Sequence, residues 1–446
     1  MSESRYVIDD RDTPRFRVHR STMVDPAILE EERRKIFDAC WLYVGHESEI
    51  PDPHDFRTRS VGGRPVILTR DATGRVQVFA NVCPHRGMQI ETRPEGHGRF
   101  LKCFYHGWSF STAGELVALP DEPSYGDGFD RHNLCLPRPA AVDSYRGFVF
   151  LRWSAGEEDL PTYLGAACDV LDSFADQSET GMRVSGGTHL YAARANWKLL
   201  SENSYDGYHA LTTHHRYLAM LKESGKDLAK VFASSGGGPA LAWDLGHGHA
   251  VIGGSDGSGG HNTGLGRDLS DDALVRQVAR RNRFVELYGE DWTNRMFASR
   301  NLVIFPNLAL VDLIMGITIR TYYPVSPDYM EVTAWSLQPG DDDPELHRMR
   351  QENFLTFWGP AGLATPDDIE ALERCQRGFA AHEVAPWNDI SRGMVREKPN
   401  FADELQMRVF WREWDRRITG TVHPPETAVL ARAGRAGWPY ERAGRA

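Results

Sequence analysis

Apolar and polar positions change their period twice along this 446-residue chain. Residues 1–24 are polar and show no period, which predicts an extended arm. From Asp25-Pro26 to Trp41, the apolar Ile28, Leu29, Ile36, Phe37, Cys40 and Trp41 fall on one side, with Glu30, Glu31, Arg33 and Arg34 elsewhere. An Asp N-cap with Pro at the first helical position opens such an amphipathic helix. The charge run 30–35 reads as its solvated face. From Trp41 to about Trp153 the pattern shortens. Runs rich in β-formers at 41–44, 56–61, 65–69, 76–81, 100–103, 109–111, 116–119 and 148–153 alternate with turn signals such as Gly62-Gly63 and Ala113-Gly114. Many short strands with regular turns predict a small all-β domain.

Beyond residue 153 the two periods mix. Helices are predicted over 160–176, 271–288, 345–358, 367–379 and 401–417, and from an Asn196 cap through His209. Strands are predicted over 183–193, 241–252, 301–323 and 330–337. The Gly- and Ser-rich stretch 234–267 reads as a long loop or lid, and the tail from Val422 as loosely held. The most apolar run, 302–319, carries Pro306, Asn307 and Asp312, which are costly in a bilayer. It reads as two buried strands, so no membrane span is expected.

Composition narrows the class. Hydrophobic residues make up 41% and charged residues 25%, the balance of a soluble globular protein. A net charge of −11 argues against nucleic acid as a partner. No apolar segment of a secretory signal opens the chain. Cys40, Cys135, Cys168 and Cys375 are scattered and read as small buried residues, which points to the reducing cytoplasm.

Two stretches carry dense chemistry. Cys83-Pro84-His85-Arg86-Gly87 is answered, with seventeen residues between His85 and Cys103, by Cys103-Phe104-Tyr105-His106-Gly107-Trp108. Each loop offers one thiolate and one imidazole, the ligand set of a Rieske-type [2Fe–2S] centre. Structural zinc accepts the same four ligands. The second stretch, residues 202–215, contains Asp206, His209, His214 and His215. Two His and a carboxylate on one face of an ion suit Fe(II) with open positions for O2. On an ideal helix His209 and His214 point about 140° apart, so the helix must end or distort between them. Spacing alone does not choose between His214 and His215. A third ligand has its best source in residues 359–370, at Asp367 or Asp368, although Thr365-Pro366-Asp367-Asp368 is also what a helix start requires.

Taken together, CPHRG, CFYHGW, ENSYDGYH with the following His214, and GPAGLATPDD resemble the α (large) subunit of Rieske non-haem iron aromatic-ring-hydroxylating oxygenases, over nearly the whole length. WLYVGHESEIP, IFPNL and WNDISRG add to the likeness. The resemblance implies an α+β chain: an arm and helix over 1–40 packing with the catalytic domain, a small all-β Rieske domain over 41–155, and a catalytic domain over 156–446 with an antiparallel sheet and helices of helix-grip type. It implies that Cys83, His85, Cys103 and His106 hold the cluster and that His209, His214 and Asp368 hold a mononuclear non-haem Fe(II). Ala364-Thr365-Pro366 replaces an aromatic-acidic pair common in the family, which keeps Asp367 as the alternative ligand. Asp206 corresponds to a carboxylate linking a cluster ligand, here His106, of one subunit to an iron ligand, here His209, of the next.

The activity implied is hydroxylation of an aromatic ring with O2, foremost dihydroxylation to a cis-dihydrodiol. Electrons come from a separate ferredoxin or flavin NAD(P)H reductase, since this chain has no clear dinucleotide fingerprint. The assembly implied is a homotrimer, α3, or α3β3 with a small β subunit. Monohydroxylation or O-demethylation would use the same ligands, and an electron carrier would use only the β domain. Asn203, Ala210, Leu211, Ile304, Leu308, Trp358 and Leu363 are the expected pocket walls. Arg216 and Arg320 are candidate partners for a substrate carboxylate. His247 and His249 read as lining or surface residues, and Arg86 and Lys102 as a docking rim for a redox partner.

Overall fold

The structure is a computed structural model that describes residues 5–126, 128–225, 240–253, 269–312 and 316–434. The chain divides into two compact units, Arg33–Leu160 on one side and Met1–Glu32 with Pro161–Ala446 on the other. These boundaries differ by a few residues from the divisions at 40 and 155 drawn from the sequence.

The unit Arg33–Leu160 is built from three small antiparallel sheets. Val76–Ala80, Arg64–Arg70, Asp55–Val61 and Glu95–His97 form one; Leu116–Ala118, Ser109–Ser111 and Phe100–Lys102 a second; Ala141–Tyr145, Phe148–Arg152 and Leu42–His46 the third. Each of the eight runs expected over 41–153 is a strand. Glu95–His97 and Ala141–Tyr145 come in addition; neither has a fully buried residue, and neither carries an apolar alternation to announce it. The core joins Phe56, Ile67, Phe79, Leu101, Trp108 and Phe110 to Cys83 and Cys103. The two sulfurs therefore stand in apolar packing.

The larger unit centres on a seven-stranded antiparallel sheet. Its order is Met182–Ala193, Tyr329–Pro339, Ile317–Ser326, Leu308–Asp312, Arg300–Ile304, His249–Gly253 and Leu241–Gly246. The apolar stretch 301–323 supplies three of these strands, the first two joined by a turn at Phe305-Pro306-Asn307. The strand expected over 241–252 is a hairpin, because Gly246, His247 and Gly248 all take positive φ and reverse the chain. The rest of the expected loop, residues 234–239 and 254–267, lies outside the described residues, as does 435–446 of the tail. The helical run 160–176 is interrupted at Gly165 into Leu160–Leu164 and Ala167–Ala175. Among the described residues no helix is long and apolar enough to cross a membrane.

The first helix corrects one expectation. Pro26–Glu32 is α-helical, opened by the Asp25 carboxylate on the Ala27 N–H, and Arg33–Phe37 continues as a π turn. The charge run 30–35 is not wholly solvated, because Glu32 is fully buried. Glu32 stands four residues from both Ile28 and Ile36, so the helical period carries it to the packed face. There it accepts from Lys198 Nζ at 2.6 Å, Trp197 Nε1 at 2.7 Å and Trp414 Nε1 at 2.8 Å. Three donors on one carboxylate offset the desolvation of the buried pair.

Candidate metal centres

In the β unit the two ligand loops share one brace. The Cys83 N–H donates to Met88 O at 2.7 Å and the Gly87 N–H to Cys83 O at 2.9 Å. The Cys103 N–H donates to Trp108 O at 2.8 Å and the Gly107 N–H to Cys103 O at 3.0 Å. Gly87 (φ 76°) and Gly107 (φ 73°) close the loops in the left-handed region, where a side chain would be strained. The brace puts each Cys in the core and each His nearer the surface. The rings of His85 and His106 lie 4.5 Å apart, and Trp108 stacks on His85 at 4.8 Å.

These residues fit a [2Fe–2S] cluster. Cys83 and Cys103 are buried thiols, and His85 Nδ1 is buried without a hydrogen-bond partner. Burial, with the neighbouring Cys103 thiol adding to it, pushes the Cys83 thiol up; a bound metal would reverse that by taking the thiolate. Around the loops, Arg86 and Lys102 are exposed, Phe104 is 89% exposed, and the Arg86 guanidinium lies 5.2 Å over the Tyr105 ring.

In the larger unit, Asn196 does cap a helix, accepting from the Lys198 N–H at 3.1 Å. The helix Trp197–Asn203 stops short of His209, where a continuous helix was expected. Two backbone donors are diverted from the helical ladder: the Gly207 N–H donates to Phe401 O at 3.3 Å and the Tyr208 N–H to Asp206 Oδ1 at 2.7 Å. Two further helices follow, Ala210–Thr213 and His215–Glu223, with His214 at their junction (φ −94°, ψ 25°). The distortion that the His209–His214 spacing requires is thus present. It turns His214 inward and leaves His215 exposed, its Nδ1 3.0 Å from Thr212 O.

Asp368 arrives from the first turn of the helix Thr365–Gly378. The Thr365 hydroxyl does not cap that helix; it donates to Trp358 O at 2.9 Å. Asp368 is buried, and its Oδ1 lies 3.3 Å from His209 Nε2, 3.3 Å from His214 Nε2, and accepts from Asn203 Nδ2 at 3.1 Å. One ligand atom from each of His209, His214 and Asp368 falls within 4.8 Å of the others. The fit to a two-His, one-carboxylate iron is close, since three donors from two remote segments converge. Asp367 stands further out, 3.7 Å from His214 Nδ1.

Charge reinforces this grouping. Burial alone would lower the pKa of His209, but Asp206 and Asp368 outweigh it and raise it to about 10. Burial would lift Asp368, but the two imidazoles hold it well below the usual carboxylate range. Asp206 Oδ2 sits 3.0 Å from His209 Nδ1, on the ring edge away from Asp368. Two carboxylates that the sequence reading missed lie close behind. Burial lifts Glu202 to about 7, with repulsion from Glu404 and Asp206 adding to it and the Trp411 N–H (2.6 Å) opposing it. Glu404 also reaches about 7, by burial and by Asp206.

The expected pocket residues are not equally placed. Asn203 touches Asp368, Trp358 is buried, and Leu363 packs against Tyr217 and Leu221. Ala210 is half-buried, whereas Leu211 is 64% exposed. Ile304 and Leu308 pair with each other and alternate with Val303 and Ala309. They therefore share the sheet face of Leu302 and Leu310. The opposite face carries Asn301, whose Nδ2 donates to Ser204 O at 3.0 Å, and Tyr322, whose hydroxyl is 2.9 Å from that of Ser201. That second face is the one turned to the histidine segment. His247 sits in the hairpin turn. His249 is fully buried and so is not a surface residue; it braces Tyr163 O (2.8 Å) and the Phe305 N–H (3.0 Å).

A β unit built to hold an iron–sulfur cluster and a larger unit built to hold one iron define an electron-fed non-haem iron oxygenase. The model of the ring hydroxylating alpha subunit (catalytic domain) matches residues 182–420, more than half the chain, and that of the Rieske [2Fe-2S] domain matches residues 40–145. The chain belongs to the α subunits of Rieske aromatic-ring-hydroxylating oxygenases. It is 34% identical over 405 residues to toluate 1,2-dioxygenase subunit alpha of Pseudomonas putida, covering 87% of this chain and 84% of that one. It is 31% identical over 404 residues to the 2-halobenzoate 1,2-dioxygenase large subunit of Burkholderia cepacia, covering 87% and 83%. Naphthalene 1,2-dioxygenase from Rhodococcus sp., solved with indole, superposes with a TM-score of 0.76 at 26% identity over 90% of this chain and 94% of that one. Membership brings the cofactors with it: a Rieske [2Fe–2S] cluster, a mononuclear non-haem iron, and O2 as co-substrate. Members take electrons from ferredoxin or reductase partners and form oligomers.

Proposed function

We propose that this chain is the terminal oxygenase that dihydroxylates an aromatic ring, with Cys83, His85, Cys103 and His106 holding the cluster and His209, His214 and Asp368 holding the iron. The convergence of His209 Nε2 and His214 Nε2 on one oxygen of Asp368 carries the reading. When bound, the cluster supplies single electrons and the iron activates O2 beside the ring. The chain's own groups orient that site. Asp206 fixes the plane of His209 through Nδ1, and Asn203 fixes Asp368. Asp206 also serves as the link from His209 to His106 of a second copy of the chain. Asn203, Ala210, Trp358 and Leu363 form the pocket walls nearest these ligands.

The assembly proposed is a trimer, α3, or α3β3 with a small β subunit; the names of the two relatives, "subunit alpha" and "large subunit", support a second kind of chain. A ferredoxin or flavin reductase docks at the rim of Arg86, Lys102, Phe104 and Tyr105. Cys40, Cys135, Cys168 and Cys375, the four cysteines not assigned to the cluster, form no disulfide, which supports a reducing cytoplasm. The test is O2 uptake by the purified chain with a ferredoxin and its reductase, and labelled O2 to follow product. Substrate-dependent uptake with both labelled atoms in a cis-dihydrodiol is expected. One labelled atom in the product would make the enzyme a monooxygenase, and no substrate dependence would end the reading.

A further inference from the structure

We propose that Arg320, together with the indole N–H of Trp358 and the hydroxyl of Tyr191, forms a carboxylate-binding subsite beside Asp368, so that the ring this enzyme takes carries an acid group. This rests on the reading of His209, His214 and Asp368 as the catalytic iron site.

Arg320 is 3% exposed, and its Nε and Nη2 are both buried without a hydrogen-bond partner. It has no ion pair among the described residues. The other buried arginines of the same unit are matched by acids. Arg350 lies 2.8 Å from Asp342, Arg408 2.7 Å from Glu426, Arg412 2.8 Å from Asp9, and Arg300 3.9 Å from Asp312. A guanidinium held out of water with no counter-charge is costly unless an anion completes it. Nε and Nη2 form one edge of the guanidinium, the pair of donors spaced to meet both oxygens of a carboxylate.

The surroundings are unspent in the same sense. Arg320 lies over Trp358, its Cζ 5.9 Å from the ring, and Trp358 Nε1 is buried without a partner. The Tyr191 hydroxyl is also buried without a partner. Trp358 O accepts at 2.9 Å from the hydroxyl of Thr365, three residues before Asp368, which ties the indole under the guanidinium to the helix that carries the proposed iron ligand. His189, in register with Ala334 and through it with Arg320, has a buried, unpartnered Nδ1 and stacks on Phe354 at 4.0 Å. Burial first, then the Arg320 cation, lowers its pKa, so it brings no second charge. Arg320 is flanked across the sheet by Ala309 and Ala334. Neither alanine carries a polar group that could satisfy the guanidinium. Arg320 shares its sheet face with Tyr322 and Asn301, the face turned to the histidine segment. Arg216, the other candidate, is exposed on the helix His215–Glu223.

The test is calorimetric binding of benzoate and benzyl alcohol to the cluster-loaded full chain and to its Arg320→Gln and Arg320→Lys variants. The unaltered chain should prefer benzoate by at least about 30-fold, the size of a buried charge-assisted pair. Arg320→Gln should bring the preference to within about threefold of none, and Arg320→Lys should keep an intermediate one, with the cluster's visible spectrum retained in both. An Arg320→Gln protein that keeps the full preference overturns the subsite. O2 uptake separates the two readings. Benzoate bound through Arg320 but never oxidised leaves the subsite standing and sinks the oxygenase. Benzoate dihydroxylated with equal KM with and without Arg320 keeps the oxygenase and overturns the subsite.

Discussion

The two proposed metal centres are built on opposite plans. The cluster site is local: two short loops, each braced from Cys to Gly and closed within six residues, put sulfur inside and imidazole outside. The iron site is assembled: two histidines separated by a broken helix meet an aspartate from a helix more than a hundred and fifty residues away. A local site survives most changes elsewhere in the chain. An assembled one depends on where the Trp197–Asn203 helix stops and on which residue opens the helix Thr365–Gly378.

Each substitution that separates the two plans tests them. The largest effect belongs to Cys103→Ser. It should cut turnover by about a thousandfold or more, with loss of acid-labile sulfide and of the visible spectrum, while the mononuclear iron stays bound. If the single iron left with the cluster, the two sites would not be independent. Asp206→Asn comes next. It should keep both metals and lower turnover by about 100-fold, since Asp206 is proposed to orient His209 and to carry the link to a second copy. Full activity would remove both roles.

The smallest effect concerns the carboxylates behind the iron site. The folded chain holds the Glu202 proton to about 7 against an ordinary 4.5, by burial and by repulsion from Glu404 and Asp206. Its stability contribution is therefore full below about pH 4.5 and is lost as pH rises through about 7. Glu202→Gln keeps an acceptor for Trp411 and cannot ionise. It should melt about 2–4 °C higher than the unaltered chain at about pH 8, with the difference vanishing near pH 5. A gain confined to low pH would reverse the sign and reject the cause.

The same contrast explains what the sequence disclosed. All four proposed cluster ligands stand in two loops whose spacing and turn residues can be read directly, and the strands around them follow from short apolar runs. His209 and His214 were readable as a pair, and their spacing forecast a break in the helix. The break's cause was not readable, because the Gly207 N–H is drawn off by Phe401, nearly two hundred residues away. Asp367 and Asp368 look alike as helix-start acids; only tertiary packing turns Asp368 inward. Glu32 was hidden in a charge run, although its spacing from Ile28 and Ile36 placed it on the buried face. His189 and Tyr191 alternate onto one face of an expected strand, yet nothing in the sequence said which face looked toward the site.

The central claim is that His209, His214 and Asp368 hold an iron distinct from the cluster. Iron and acid-labile sulfide analysis of the unaltered chain, Asp368→Ala and Asp367→Ala tests it most directly. The unaltered chain should carry about three irons and two sulfides, one cluster plus one iron. Asp368→Ala should lose about one iron and keep both sulfides, and Asp367→Ala should match the unaltered chain. An Asp368→Ala protein that keeps all its iron, beside an Asp367→Ala protein that loses one, would contradict the assignment.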